Sequence, residues 1–269
     1  MKINPISIYP IVSKNHSSGF NHNRCNTKFS GMINEDTFIA SKSKEDLSDF
    51  LKRKNYITRK VDYNIYAGET LANKPDEVFK QLFKSGITTI IDLRSQDEVN
   101  ISEYKRKCQE NGITYSSHPL SSILDDIKTG IFDYKTGSVQ DEFVDNLAGL
   151  LDEMREGNVY LGCQHGIERT NFALVADYVF NFNTTHYPPV IYPANYGSRN
   201  ALKNKNLDLI RKIIKKLSLQ QRKKLGLPDD FEQTILKQRI KDIIEINKKP
   251  FPKEVTELIE ANTKYEIKE

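Results

Sequence analysis

The chain has 269 residues, of which 38% are hydrophobic and 28% charged, and its formal net charge is +4. No segment is long and apolar enough to predict a membrane span, and the first residues lack the apolar stretch of a secretory signal. The cysteines, Cys25, Cys108 and Cys163, are too scattered to predict a disulfide framework. These features exclude the disulfide-rich and membrane-spanning classes and favour a globular protein in the reducing cytoplasm. Export by a route without a recognisable signal stays open.

The first part of the chain divides into a leader and the start of a domain. Residues 1–42 are rich in Asn, Ser, Lys and Gly with isolated apolar residues, which predicts a flexible leader. We expect a domain over residues 43–200 that opens with a helix within residues 44–54. An apolar run at 64–69 and a helix-like repeat at 75–84 then begin an alternation of strands and helices.

The alternation continues towards the middle of the chain. An apolar run at 87–93 predicts a strand, and helical apolar spacing at 99–111 predicts a helix. A strand over residues 113–120 leads into a long loop at 121–137, and the next helix is expected to start near Ser138. Strands that alternate with helices in this way predict an α/β fold, with a central and mostly parallel sheet flanked by helices.

The candidate catalytic residues lie in one segment, residues 162–170, which reads Gly-Cys-Gln-His-Gly-Ile-Glu-Arg-Thr. It follows the apolar run Val-Tyr-Leu and precedes a helix-like pattern. A cysteine at a strand end, five residues whose N–H groups can curl inwards, and an arginine that opens a helix together form a nest of donors for a tetrahedral dianion. Arg169 could hold two phosphate oxygens at once. The same field would favour Cys163 as thiolate, the form that attacks phosphorus, and Thr170 could donate its hydroxyl to the sulfur.

This spacing resembles the Cys-x-x-Gly-x-x-Arg-Ser/Thr signature of cysteine-dependent protein tyrosine and dual-specificity phosphatases. The matching residues are Cys163, Gly166, Arg169 and Thr170. The resemblance implies a phosphocysteine intermediate and no metal or organic cofactor. It also implies that the loop residues surround the bound phosphate, namely Gln164, His165, Gly166, Ile167 and Glu168. The family usually has His before the cysteine and Gly after the Ser/Thr, whereas this chain has Gly162 and Asn171.

A second stretch supports the resemblance. Residues 86–95, Gly-Ile-Thr-Thr-Ile-Ile-Asp-Leu-Arg-Ser, are similar to the "Gly-Ile-x-x-Val-Ile-Asp-Leu-Arg" strand of bacterial and fungal dual-specificity-like phosphatases. The resemblance thus covers roughly residues 60–185. Asp92 and Arg94 could contact substrate, but residues at such a strand end more often form a structural ion pair, and we favour that interpretation.

The chemistry also needs a general acid, because an alkoxide or phenoxide leaves slowly unless it is protonated as the P–O bond breaks. In the resembling family a mobile loop before the cysteine carries this acid. The loop at 121–137 offers Asp125, Asp126 and Asp133. We favour Asp125 and Asp126, which follow closely on the strand ending at Leu120, and a like-charged neighbour could raise the pKa of one member of the pair. For each aspartate, a solvated acidic turn is the alternative.

Glu168 is unusual, because a carboxylate inside an anion-binding loop opposes the phosphate unless it points away or is protonated. Myotubularins and Sac-type lipid phosphatases also carry an acidic residue just before Arg-Thr, and the Sac-type enzymes continue into Asn, as this chain does at Asn171. This resemblance makes Glu168 a reserve candidate for the proton donor. The alternative is that Glu168 shapes the loop by hydrogen-bonding its amides. His165 could add positive potential when protonated or line the pocket when neutral, and the histidines show no metal-ligand spacing.

Residues 201–269 are predicted to form a basic helical extension. Leu207, Ile210, Ile213, Ile214 and Leu217 define an apolar stripe, and further helical patterns cover 230–247 and 253–264. From Lys203 to Lys224 the sequence has nine Lys or Arg and one Asp, an excess of eight positive charges that exceeds the net +4 of the whole chain. This charge could attract acidic substrates or an anionic membrane surface, although a solvated helix face is the simpler interpretation. No nucleic-acid reader motif accompanies it.

The sequence therefore predicts a cysteine-dependent phosphatase that acts on phosphotyrosine, phosphoserine or phosphothreonine in proteins. A phosphoinositide or an inositol phosphate is the alternative substrate. Two hypotheses from other classes remain: a phosphate-binding module with little turnover, and a rhodanese-like sulfur transferase, which also uses a cysteine loop.

Overall fold

The computed structural model describes residues 46–62, 64–98, 100–120, 130–181, 188–191, 199–227 and 233–248, with the backbone alone at 96, 199–204 and 233–234. The chain divides into two units, Met1–Ser43 and Lys44–Glu269, and every described residue belongs to the second. The predicted leader at 1–42 and the predicted helix at 253–264 lie outside the described residues.

A five-stranded sheet forms the centre of the second unit, in the order β1-β2-β5-β3-β4. Its strands are β1 (Thr58–Lys60), β2 (Ile65–Glu69), β3 (Thr89–Asp92), β4 (Thr114–Ser117) and β5 (Val159–Cys163). Strands β2, β5, β3 and β4 are parallel, and the edge strand β1 pairs antiparallel with β2. The predicted α/β class with a central, mostly parallel sheet is confirmed.

Helices connect the parallel strands and continue after them. They are α1 (Leu47–Arg53), α2 (Asp76–Lys84), α3 (Ile101–Glu110), α4 (Asp141–Glu156), α5 (Glu168–Phe180), α6 (Arg199–Lys216), α7 (Leu219–Lys224) and α8 (Gln233–Ile246). Because β2, β3, β4 and β5 run parallel, each step between them needs a crossover, and α2, α3 and α4 provide these in turn.

Local signals explain where the connecting helices begin and end. The side chain of Asn100 caps α3 by accepting a hydrogen bond from the Glu103 amide. Gly86, with φ of +87°, follows the end of α2 and allows the turn into β3. Helix α4 begins at Asp141, three residues later than the predicted start at Ser138. The reason is a short antiparallel bridge between Val139 and Phe132, which holds this segment extended.

Side chains alternate between the two faces of the sheet, and each face buries its own apolar cluster. Tyr160 and Ile90 belong to the cluster that includes α1, α2 and α3. Leu161 and Ile91 belong to the larger cluster that includes α4, α5 and the helices after residue 200. Since a strand buried on both faces must be apolar throughout, β5 reads Val-Tyr-Leu-Gly-Cys, and all five residues are buried.

Helix α5 is enclosed on all sides. Every residue from Thr170 to Phe180 is buried, because α5 packs on β5 and is contacted by α4, α6 and α8. The predicted apolar stripe of α6 supplies part of this cover, and Leu207, Ile210 and Ile213 are at most 1% exposed. The helices of the extension therefore share one core with the sheet. Within the described part of the chain, no helix combines the length and hydropathy needed to cross a membrane.

Candidate active site

Cys163 is the last residue of β5, the middle strand of the sheet. Ligands of open α/β sheets bind at the carboxyl ends of the parallel strands, and Cys163 lies at that edge. Its side chain is 2% exposed and is a free thiol. The Thr170 hydroxyl donates a hydrogen bond to its sulfur, with Oγ1 and Sγ 3.1 Å apart. The sulfur is thus buried but has a polar partner on the helix that follows the loop.

The loop between Cys163 and α5 has the tight curvature that an anion nest needs. Gly166 adopts φ of +65°, and a Cβ there would lie 2.1 Å from the carbonyl carbon of Gly68 and 2.3 Å from the Glu69 nitrogen. Only glycine fits this close approach of the loop to the end of β2. Helix α5 begins at Glu168, immediately after the loop. The first N–H groups of a helix lack intrahelical acceptors, so they are available to an anion beside the loop.

The loop side chains differ in exposure. Gln164 is exposed and His165 is partly buried, whereas Ile167 is 3% exposed and packs into the core. Ile167 therefore anchors the loop, and it would offer a bound anion its main chain alone. Glu168 is partly buried in the first turn of α5, where a carboxylate interacts favourably with the helix dipole.

Arg169 is held by a carboxylate that the sequence analysis did not identify. Its Nη1 and Nη2 donate to the two oxygens of Glu98, at 2.6 and 2.7 Å. Burial disfavours the charged form of Arg169, but the bonds to Glu98 and the nearby Cys163 outweigh it, and the pKa of the guanidinium is raised. The same contact lowers the pKa of the Glu98 carboxyl to about 2. This fork fixes the plane of the guanidinium.

Glu98 is itself fixed at the end of a short turn after β3. The turn is a 3-10 helix, Gln96–Glu98. The Ser95 amide and hydroxyl both donate to Oε1 of Glu98, at 3.0 and 2.7 Å. The sequence does offer a signal for a carboxylate here, because an acidic pair at residues 97–98 closely follows the Asp-Leu-Arg-Ser segment at 92–95.

A second arginine supports the loop from the far edge of the sheet. Arg59 on β1 is 6% exposed. Its Nη1 donates to the Gly166 carbonyl at 3.0 Å, and its Nη2 donates to Oδ1 of Asn171 at 2.8 Å. Arg59 therefore ties the loop to the first turns of α5 and adds a positive charge beneath it. No sequence signal indicated this role, since Arg59 lies more than 100 residues upstream in an unremarkable strand.

The two departures from the phosphatase signature have structural partners. Asn171, in place of the usual glycine, accepts the hydrogen bond from Arg59. A Cβ at Gly162, in place of the usual histidine, would lie 3.4 Å from the Glu69 carbonyl oxygen and 3.5 Å from the Tyr160 ring. A methyl group there would make ordinary van der Waals contact with both.

Asp92 and Arg94 form a buried ion pair, in agreement with the interpretation favoured from the sequence. Both carboxylate oxygens of Asp92 accept from the Arg94 guanidinium, at 3.0 and 2.8 Å. The two residues are 2% and 3% exposed. The Tyr115 hydroxyl also donates to Asp92, at 3.3 Å. Since both charges are satisfied inside the protein, they stabilise the end of β3 rather than face a ligand.

The two favoured general acids, Asp125 and Asp126, lie outside the described residues. Asp133 is described and caps its own turn. Its Oδ1 accepts from the amides of Lys135 and Thr136, at 2.9 and 2.7 Å. These bonds lower the pKa of the Asp133 carboxyl. An aspartate that is held ionised is a poor proton donor at neutral pH.

Glu69 is a further titratable group at this edge of the sheet. Its backbone pairs with that of Cys163 across β2 and β5. Its carboxylate contacts Lys74 at 2.9 Å and interacts electrostatically with His165. Burial raises the pKa of Glu69, although Lys74 partly offsets the effect. Among the described residues, no group of three or more His, Cys, Asp or Glu side chains could hold a metal ion.

Comparison with known proteins gives structural matches alone. No protein-family model matches the chain, and no curated protein matches it. A DUF442 protein from Shewanella putrefaciens CN-32 matches with a TM-score of 0.40 and 13% identity, over 61% of this chain and 99% of that one. The core catalytic domain of the PP-IP phosphatase SIW14 from S. cerevisiae matches with a TM-score of 0.32 and 13% identity, over 68% and 91%. PTPMT1 in complex with PI(5)P matches with a TM-score of 0.33 and 12% identity, over 70% and 96%.

SIW14 and several other matched proteins are phosphatases by name. At identities of 12–16% the likeness concerns the fold. The assignment of function therefore depends on the residues of the loop itself.

Proposed function

We propose that the protein is a cysteine-dependent phosphatase that hydrolyses phosphomonoesters. The observation that carries the proposal is the arrangement around one sulfur. Cys163 ends the middle strand, Thr170 donates to its sulfur at 3.1 Å, and Arg169 is fixed by Glu98 in the first turn of the following helix. A structural cysteine would need neither the glycine-dependent loop nor an oriented arginine beside it.

The reaction proceeds in two steps. The Cys163 thiolate attacks phosphorus in line, an S–P bond forms and the P–O bond to the leaving group breaks. The leaving oxygen takes a proton from Asp125 or Asp126, the candidates in the loop before α4. A water molecule then attacks the phosphocysteine, the same aspartate accepts the water's proton, and the S–P bond breaks. Inorganic phosphate and the thiolate are the products.

Arg169 and Thr170 would act on different charges. Glu98 engages one hydrogen on each terminal nitrogen of Arg169. Nη1 also donates to the Leu93 carbonyl at 3.5 Å. Nε–H and the second hydrogen of Nη2 would then serve as donors to the equatorial oxygens of phosphorus. The Thr170 hydroxyl, already directed at the sulfur, would stabilise the thiolate as it leaves in the second step.

The substrate class follows from the sequence resemblance and is part of the proposal. Phosphotyrosine, phosphoserine or phosphothreonine in a protein is the first candidate. A phosphoinositide or inositol phosphate is the second, favoured by Glu168 immediately before Arg169 and by the Asn171 that follows. The positive charge of α6 and α7 would attract either substrate, and it would also favour an anionic membrane surface. No metal ion, organic cofactor or nucleic acid is needed for this chemistry.

The test is hydrolysis of para-nitrophenyl phosphate, its inhibition by vanadate, and its loss in Cys163→Ser. Cys108→Ser is the matched control, because Cys108 is also a buried free thiol but lies in the cluster on the opposite face of the sheet. Burial raises the pKa of the Cys108 thiol to about 12, which disfavours the thiolate that a nucleophile needs. Activity that survives Cys163→Ser would contradict the proposal.

Two further measurements separate the competing functions. Binding of vanadate without phosphate release would identify a phosphate-binding module. Formation of thiocyanate from thiosulfate and cyanide would identify a sulfur transferase. For an active phosphatase, a panel of phosphopeptides, phosphoinositides and inositol phosphates then ranks the substrates by kcat/KM.

A further inference from the structure

A cavity of about 380 Å³ lies among the helices α6, α7 and α8. Its lining residues are Arg211, Ile214, Lys215, Arg222, Leu236, Lys237 and Ile240. None of them belongs to the loop at Cys163 or to the elements that support that loop. The cavity is thus a second candidate site, and the proposed phosphatase chemistry does not use it.

The cavity combines an apolar floor with basic side chains. Ile214, Leu236 and Ile240 are 6%, 9% and 6% exposed, so their side chains form the floor within the core. Four of the seven lining residues are cationic, and none of the described lining residues carries a carboxylate. Lys215 and Lys237 are exposed, so their ammonium groups reach the solvent at the mouth.

These cations are poorly compensated. Arg211 pairs with Asp208 at 2.8 Å. Among the described residues, Lys215, Arg222 and Lys237 have no carboxylate partner. Cations without a counter-charge around an apolar cavity attract an anion. These three cations are the observation that points to an anionic ligand.

We propose that the cavity binds a small anionic amphiphile, with a single acyl chain on the apolar floor and a phosphate or carboxylate head group beside Arg222, Lys215 and Lys237. The volume of about 380 Å³ lies at the lower end of the roughly 300–1,000 Å³ typical of small-molecule sites. It suits one chain rather than two. A free inorganic anion would leave the apolar floor in contact with water, and a neutral lipid would leave the three cations without a counter-charge.

The test uses anilinonaphthalene sulfonate, an apolar dye with one negative charge, on the full-length protein. Dodecyl phosphate, below its micellar concentration, should displace the dye, whereas dodecanol and inorganic phosphate should not. Arg222→Met keeps the apolar stem but removes the charge, and Lys237→Glu reverses an exposed charge at the mouth. Each should weaken displacement by dodecyl phosphate by about 10-fold. Lys241→Glu, an exposed lysine on the same helix that does not line the cavity, is the matched control and should leave it unchanged.

Several results would overturn the proposal. Equal displacement by dodecanol would show a site without anion recognition, and displacement by inorganic phosphate would show one without acyl recognition. Displacement by anionic vesicles alone would indicate a membrane surface instead of a free amphiphile. Displacement by vanadate would place the dye at the Cys163 loop. Because binding is read without turnover, the result does not depend on whether the protein hydrolyses phosphomonoesters.

Discussion

Arg169 and Glu98, 71 residues apart in the chain, share two parallel hydrogen bonds of 2.6 and 2.7 Å. The pair brings the turn after β3 against the first turn of α5. A guanidinium held in one plane loses little freedom when it binds a phosphate. Under the proposed function, Glu98 would therefore be a positioning residue that acts through Arg169.

Glu98→Gln should lower kcat/KM for para-nitrophenyl phosphate by about 10- to 100-fold, because a mispositioned Arg169 stabilises the transition state less well. Glu103→Gln is the matched control, since Glu103 also forms a fork with an arginine, Arg106, but on the exposed face of α3. Equal activity of the two variants would show that Glu98 has no part in catalysis.

The pH dependence of this pair has a defined sign. The pKa of Glu98 falls from its ordinary 4.5 to about 2 in the folded protein. A carboxyl group whose pKa is lowered by folding stabilises the folded protein. This stabilisation is complete above the pKa of the group in the unfolded chain, and it is lost as the pH falls through the pKa in the folded protein. The pair is therefore intact at every pH above about 4.5, and an acidic limb of kcat/KM at higher pH must come from another group. Glu98→Gln should leave the midpoint of that limb unchanged.

Arg59→Met should weaken both the fold and the loop. Removing the guanidinium leaves the Gly166 carbonyl and the Asn171 side chain without this donor, which we expect to lower the free energy of unfolding by about 1–3 kcal/mol. The stabilisation that vanadate gives in thermal denaturation should also shrink, because the loop is less ordered before binding. Lys60→Met, the next residue on β1 and exposed, is the control. An Arg59→Met protein of lower stability but full vanadate stabilisation would limit Arg59 to a structural role.

Gly166→Ala should prevent the loop from closing on β2. The added Cβ would lie 2.1 Å from the Gly68 carbonyl carbon, a contact that backbone atoms cannot relieve without moving. Gly226→Ala is the matched control, because Gly226 also has a positive φ, +72°, but has nothing within 4 Å of an added Cβ. The free energy of unfolding of the control should fall by only about 1–2 kcal/mol, which is the cost of an alanine in the left-handed conformation. Activity and vanadate binding should be lost in Gly166→Ala and kept in Gly226→Ala.

Thr170→Val should slow the second step more than the first. The valine keeps the shape of threonine but cannot donate to the Cys163 sulfur, which now accepts from Oγ1 at 3.1 Å. Loss of this donor should lower the rate of phosphocysteine hydrolysis by about 10-fold or more. A burst of nitrophenol followed by a slower steady state would show it in stopped-flow absorbance. A variant whose burst and steady-state rates fall together would assign the hydroxyl to another task.

The parts of the site that could be predicted from the sequence are those that lie close together in the chain. Cys163, Gly166, Arg169 and Thr170 fall within eight residues, so a strand end, a tight loop and a helix start suffice to bring them together. The alternation of apolar runs with helical repeats likewise predicted the mostly parallel sheet, because each element is encoded by neighbouring residues. The apolar stripe of α6 could also be predicted, because apolar residues that repeat every 3.6 residues indicate a helix whatever it packs against.

The parts that could not be predicted depend on contacts between distant segments. Arg59 donates to Asn171, which lies 112 residues later in the chain. The sequence alone does not distinguish a buried arginine from a solvated one. Glu98 depends on a turn whose direction is set by how β3 lies beside β5. The pattern at Ser138 suggested a helix start, but the extended bridge of Val139 with Phe132 competes with the first turn and delays α4. In each case tertiary packing decides the role of the residue.

The identity of the general acid can be tested through the leaving group. Asp133 is ionised and holds its own turn, so Asp133→Asn should hydrolyse phenyl phosphate as fast as the unmodified protein. If Asp125 or Asp126 donates the proton, its Asn variant should slow phenyl phosphate by about 100-fold or more. The same variant should slow para-nitrophenyl phosphate far less, because nitrophenolate leaves without a proton. The basic limb of kcat/KM, which reports the group that must stay protonated, should change in that variant alone. Full activity of both Asn variants on phenyl phosphate would remove the pair from the mechanism, and Glu168→Gln and Glu69→Gln would then be measured with the same two substrates.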